Sequence, residues 1–160
     1  MTDVPEYALA FVDDRVRTAV WGDLQLNVYT GTPTVADLDR LAAAQNELRA
    51  SRSAGRIGIF SFCETEFEIP GAEVRRHGAK LQREMSGLVT ASAVVVDGAG
   101  FWASAAISVI NTIAILARSS SPARVFGEIQ DAAAWMARVM PLDARALVEA
   151  TNRLRTETRG

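Results

Sequence analysis

The stretch Ala91–Trp102, ASAVVVDGAGFW, places a strand, a turn and the start of a helix end to end. Val94-Val95-Val96 is a β-branched run that favours extended backbone. Asp97-Gly98-Ala99-Gly100 breaks it with small residues suited to a tight turn. From Phe101 to Arg118 the chain is apolar almost all round: Phe101, Trp102, Ile107, Val109, Ile110, Ile113, Ile115 and Leu116. A buried strand that runs straight into a helix is half of a crossover, and crossovers join parallel strands.

Working outward, the same alternation recurs. Tyr7–Val12 and Val16–Trp21 are β-prone runs on either side of Asp13-Asp14, which predicts a hairpin. Leu24, Leu26 and Val28 alternate with polar residues, so the second strand continues or a third forms. Thr32-Pro33-Thr34 predicts a helix start, with Pro33 at the first helical position and a threonine as cap. Val35, Leu38, Leu41, Ala42, Gln45 and Leu48 then follow at helical spacing, and the helix stops within Ser51–Gly55. Ile57–Cys63 reads as a buried strand.

Pro70-Gly71 precedes a second helix. Its Val74, Gly78, Leu81, Met85 and Leu88 share one face, while Arg76, Lys80 and Arg83 lie on another. Ala123–Phe126 is short enough for an edge or terminal strand. Ile129, Ala133, Met136 and Met140 mark a further helix stopped by Pro141, and Asp143 caps a last one carrying Leu147 and Leu154. The predicted order is β-β-(β)-α-β-α-β-α-β-α-α. It describes an α/β protein whose mixed sheet begins with an antiparallel hairpin and continues through β-α units, with helices covering the sheet. One domain, 1–160, accommodates it, with a core over about 7–140 and a C-terminal helix over 143–157.

Composition narrows the function classes. The 160 residues carry 17 basic and 19 acidic side chains, a net charge of −2, and 49% hydrophobic residues. That balance suits a globular fold and not a general nucleic-acid binder, which needs excess positive charge. Residues 1–70 hold 6 basic and 11 acidic groups and residues 71–160 hold 11 and 8, so the halves differ in sign. Sixteen of the 17 bases are Arg, a compositional bias without evident clustering on one face. A single cysteine forms no internal disulfide and no paired-thiolate zinc site, and a single histidine excludes a two-histidine metal site. No cofactor motif is found. Met1–Glu6 lacks the basic start and apolar core of a signal peptide, so the expected compartment is the cytoplasm.

The segment Ala93–Asp97, then Gly98-Ala99-Gly100-Phe101-Trp102-Ala103-Ser104, the apolar helix, Arg124-Val125-Phe126 and Asp131-Ala132-Ala133-Ala134-Trp135 resembles the STAS family, in its SpoIIAA-like and STAS/SEC14-like branch of small bacterial proteins. The resemblance spans roughly residues 7–140 and contains no catalytic motif. It implies a helix-covered sheet used as a docking surface for protein partners in signalling. It also implies a regulatory hydroxyl at the start of the helix after the third family strand. The matching stretch is Glu64–Ala72, where Thr65 is the one hydroxyl. The Asp-Ser-Ser-Gly-like turn of the family is missing there, and Glu64, Glu66 and Glu68 would repel an added phosphate.

Other constellations are weaker. Asp97–Gly100 offers backbone N–H groups to an anion, but its Gly-x-Gly spacing lacks the third glycine and the downstream acid of a dinucleotide site. Glu64, Glu66 and Glu68 fall on one side of an extended segment and could hold a hard cation, yet no glycine-bearing metal loop accompanies them. Cys63 and His77 lack an orienting group for nucleophilic catalysis; a lone cysteine ending an apolar strand reads as a small buried hydrophobe, and His77 beside Arg75 and Arg76 as solvent-exposed. Arg75, Arg76, Lys80 and Arg83 form a positive stripe that a hydrated helix face explains.

The Phe101–Arg118 helix carries the functional expectation. Ser104, Ser108, Asn111 and Thr112 interrupt it, which argues against a membrane span. A surface helix normally keeps a polar face, and this one has too little. The first expectation is a non-enzymatic interaction module, homodimeric or docked to a protein partner through Phe101, Trp102, Ser104, Ile107 and Ile110. The second is a carrier of a small apolar ligand or lipid, with the helix lining a cavity. An enzyme using Glu64, Glu66 or Asp97 as base ranks last, because nothing pairs such a carboxylate with a nucleophile.

Overall fold

A computed structural model of the chain describes residues 4–53, 55–64, 66–97 and 100–158. The elements in order are β1 (Tyr7–Val12), β2 (Val16–Trp21), β3 (Leu24–Tyr29), α1 (Val35–Ala50), β4 (Ile57–Cys63), α2 (Ala72–Glu84), β5 (Val89–Val96), α3 (Phe101–Ala117), β6 (Ala123–Phe126), α4 (Ile129–Val139) and α5 (Ala144–Thr156). The fold class is the one expected. Leu24, Leu26 and Val28 belong to a separate third strand.

The six strands lie in the sheet in sequence order. β1, β2 and β3 pair antiparallel, and β3 to β6 pair parallel. Each parallel step therefore advances one strand in the same direction. Crossovers between parallel strands are right-handed, so α1, α2 and α3 all fall on one face of the sheet. The antiparallel pair α4–α5 covers the other face, a layered arrangement that buries both sides.

Local chemistry sets the ends. Thr34, not Pro33, borders α1: its hydroxyl accepts from the Asp37 N–H and the Asp37 carboxylate accepts from the Thr34 N–H, a complete capping box. Pro33 stands one residue outside the helix, because the reciprocal bond needs a free N–H at the cap. Asp143 caps α5 by accepting from the Ala146 N–H. α3 ends one residue short of the expected limit, since Arg118 takes a left-handed conformation with φ 49°.

The α4–α5 face is densely packed. Leu24, Leu26, Val28, Phe60, Phe62, Ala91, Ala93 and Val95 point toward Ala132, Ala133, Met136, Leu147 and Leu154. Leu147 and Leu154 have no exposed surface, and each contributes about 2 kcal/mol by burial. The last helix is thus part of the core. Gly58 is required here, because a Cβ at that position would overlap Leu24 and Met140.

Candidate functional site

The opposite face of the sheet is built from different residues. Alternation along β3 turns Gln25, Asn27 and Tyr29 away from the packed core, and β4 and β5 turn Ile59, Ser61, Cys63, Ser92 and Val94 the same way. Between this face and α1, α2 and α3 lies a cavity of about 300 Å³, open to solvent on one side. Leu38, Leu41, Ala42 and Gln45 of α1 form one wall. Val74, Gly78, Leu81, Gln82 and Met85 form the second, and Ala106, Val109, Ile110, Ile113 and Ala114 of α3 the third. Phe67, Ile69 and Pro70 close one end.

α3 leans on α2, and it meets Cys63 and Val96 of the sheet beside the cavity. Its sheet-side residues are small: Ala103, Ala106 and Ala117 are the buried ones. The rims are tied by polar contacts. Arg15 holds Asp37 with Nε 2.6 Å from Oδ2, and Arg40 holds Asp13 at 2.8 Å, which fix α1 over the hairpin. His77 Nε2 lies 2.6 Å from Asp39 Oδ1, joining α2 to α1. An Arg83 guanidinium N–H donates to the Leu116 carbonyl at 2.8 Å, joining the end of α3 to α2. The Trp102 indole N–H donates to the Phe67 carbonyl at 2.7 Å, and the two rings meet edge to face at 5.4 Å.

The floor holds a buried polar chain. The Thr18 hydroxyl donates to Asn27 Oδ1 (3.1 Å). Asn27 Nδ2 donates to Ser61 Oγ (3.3 Å) and to Gln25 Oε1 (3.4 Å). Gln45 Nε2 donates to the same Gln25 oxygen (3.0 Å), and Gln25 Nε2 donates to the Leu41 carbonyl (3.2 Å). Gln25, Asn27 and Ser61 are buried. Burial pushes the Cys63 thiol up to about 12, so it stays protonated near neutral pH. Burial likewise raises the Tyr29 phenol above its ordinary value, with Cys63 and Asp37 adding to the effect.

Protein interiors leave few voids larger than a water molecule. Closed and dry, a hollow of about 300 Å³ would cost roughly 7 kcal/mol at ~24 cal/mol per Å³, but this one opens to solvent. Solvent or a guest must fill it.

The residues expected at an interface do not share a face. Phe101 is 90% exposed and Ser104 is exposed. Trp102 is half-buried against Phe67, Ile107 packs with Cys63, Val96, Ala103 and Ala106, and Ile110 lines the cavity. Thr65 lies outside the described residues, as do Gly98 and Ala99 of the Asp97–Gly100 turn. Glu64 is engaged by Arg155 at 3.3 Å and by Arg17 at 3.9 Å. His77 is half-buried and bonded to Asp39, where its basic neighbours suggested free exposure. The positive stripe is largely engaged as well: Arg75 donates to the Pro70 carbonyl, Lys80 lies 4.0 Å from Glu84, and Arg83 reaches α3.

Sequence reasoning missed Gln25, Asn27, Gln45 and Ser61 as site residues. The available signal was the pairing of polar positions on β3 with Ser61 in an otherwise apolar strand. Among the described residues no helix is long and apolar enough to cross a membrane. No protein-family model matches the chain, and none of the curated proteins matches it.

Proposed function

We propose that the chain is a non-enzymatic binding protein for a small apolar ligand, held between the sheet and α1, α2 and α3. The observation that carries this reading is the cavity of about 300 Å³ lined mostly by aliphatic side chains, at the lower end of the usual size for ligand sites. The carrier expected from the apolar helix agrees with it, and STAS-family membership is part of the same proposal. Native mass spectrometry of protein purified from its host tests the reading. The expected result is a retained small molecule, lost on denaturation. A chain that emerges at its own mass, and that takes up no apolar probe in solution, would overturn it.

A second reading, self-association or docking of a protein partner, draws on the outer edge of α3. Phe101, Ile115 and Leu116 are 90%, 75% and 45% exposed there. Such surface is typical of interaction sites when contiguous. Light scattering at about tens of micromolar, a range in which weak interfaces populate, separates the two. A dimer abolished by Phe101→Asp, with ligand binding intact, assigns this edge to assembly; a monomer throughout removes the second reading.

A further inference from the structure

We propose that the cavity selects an uncharged ligand with a polar end that hydrogen-bonds to the uncommitted hydroxyls of Ser61 and Tyr29, a carbonyl or ether-type oxygen being one such end, with its apolar body against α2 and α3. The inference rests on the binding function proposed above and adds the chemical class of the guest.

Charge makes the first argument. Every polar residue lining the cavity among the described residues is neutral: Asn27, Tyr29, Gln45, Ser61, Gln82 and Ser92 are the larger part of them. The nearby Asp37 carboxylate already has both oxygens on Arg15, and the Thr34 N–H donates to it as well. Arg15 therefore has no charge left to offer an anion, and Asp37 none for a cation. An ionised head group would lose its hydration without gaining a counter-charge, which is unfavourable in a low-dielectric site.

The hydrogen-bond inventory makes the second. The Asn27 amide donates to Ser61 and Gln25 and accepts from Thr18, and the Gln25 amide is equally occupied. Ser61 is buried and receives a bond from Asn27, so its oxygen is engaged as acceptor while its O–H points to no acceptor among the described residues. Tyr29 lines the same floor, two residues along β3 from Asn27 and paired with Cys63, and its phenol has no hydrogen-bond partner among the described residues. The bond from Asn27 polarises the Ser61 hydroxyl toward donation. What remains to a guest is thus a set of neutral groups, the hydroxyls of Ser61, Tyr29 and Ser92 with Gln45 Oε1 and the Gln82 amide, in an aliphatic hollow.

Size sets the probes. A cavity of about 150 Å³ holds benzene, so about 300 Å³ suits a guest of about a dozen non-hydrogen atoms. 4-Phenylbutan-2-one, butylbenzene, 4-phenylbutanoate and 4-phenylbutylamine share the phenylbutyl frame and differ in the polar group at or next to its far end. Calorimetric titration of the full chain should rank the ketone first, about three- to tenfold tighter than the hydrocarbon, the ratio that one net hydrogen bond supplies. Both ions should bind at least about tenfold more weakly than the ketone. Ser61→Ala and Tyr29→Phe, each checked for native circular dichroism, should reduce the ketone's advantage and leave butylbenzene binding unchanged. Equal binding of ketone and hydrocarbon, or preference for either ion, overturns the inference while the apolar pocket stands. Binding of none of the four overturns the proposed function together with it.

Discussion

Gly78 offers a test of the cavity through stability. It lies in the middle of α2, where glycine is about 1 kcal/mol worse than alanine because the unfolded chain loses more freedom on ordering. A Cβ added at Gly78 would stand 3.7 Å from Leu38 Cδ1 and 4.0 Å from two methyl carbons of Ile113, which is ordinary contact with both flanking helices. Those contacts add about 0.1–0.2 kcal/mol each. Gly78→Ala should therefore stabilise the fold by about 1–1.5 kcal/mol. For a chain of this length, that raises the thermal midpoint by about 2–5 °C. Far-UV circular dichroism during heating reads the shift, and urea unfolding with an unchanged slope checks that the unfolded state is not the cause. The companion variant Gly78→Phe projects a ring into the hollow; it should keep the helical signal and lose uptake of an apolar probe. A lowered midpoint for Gly78→Ala would refute the reasoning, because it would mean that α1, α2 and α3 are packed without the space described.

Asp37→Ala removes both the capping carboxylate and the partner of Arg15, and should lower stability by about 1–2 kcal/mol at neutral pH. The hydrogen bonds from Arg15 hold the Asp37 carboxyl at about 2, below its ordinary 3.8, so the stabilisation is complete above the unfolded value and disappears as pH falls through the folded one. Urea midpoints of the two proteins should converge between about pH 4 and pH 2; a gap that persists unchanged would mean that the charge is not responsible.

The elements were legible in the chain because their signals are local. The valine run before Asp97, the capping threonine at 34 and the Asp143 cap each act within a few residues, and the strands and helices fall where those signals place them. Local pattern also identified the helix from Phe101 as unusually apolar. It did not identify the polar side of β3 as buried. Gln25 and Asn27 alternate with leucine and valine as surface residues do, and only the position of α1, fixed by Arg15 on Asp37 and Arg40 on Asp13, covers them.

The succession of strands and helices along the chain was thus decided by the amino-acid sequence alone, since periodicity and capping are properties of neighbours along the chain. The use of the apolar helix was decided by tertiary structure: α3 rests on α2 and, with α1 and α2, leaves Ser61 and Tyr29 facing a hollow. The size of that hollow depends on the volumes of side chains from several strands and helices at once, and no periodicity within any one of them encodes it.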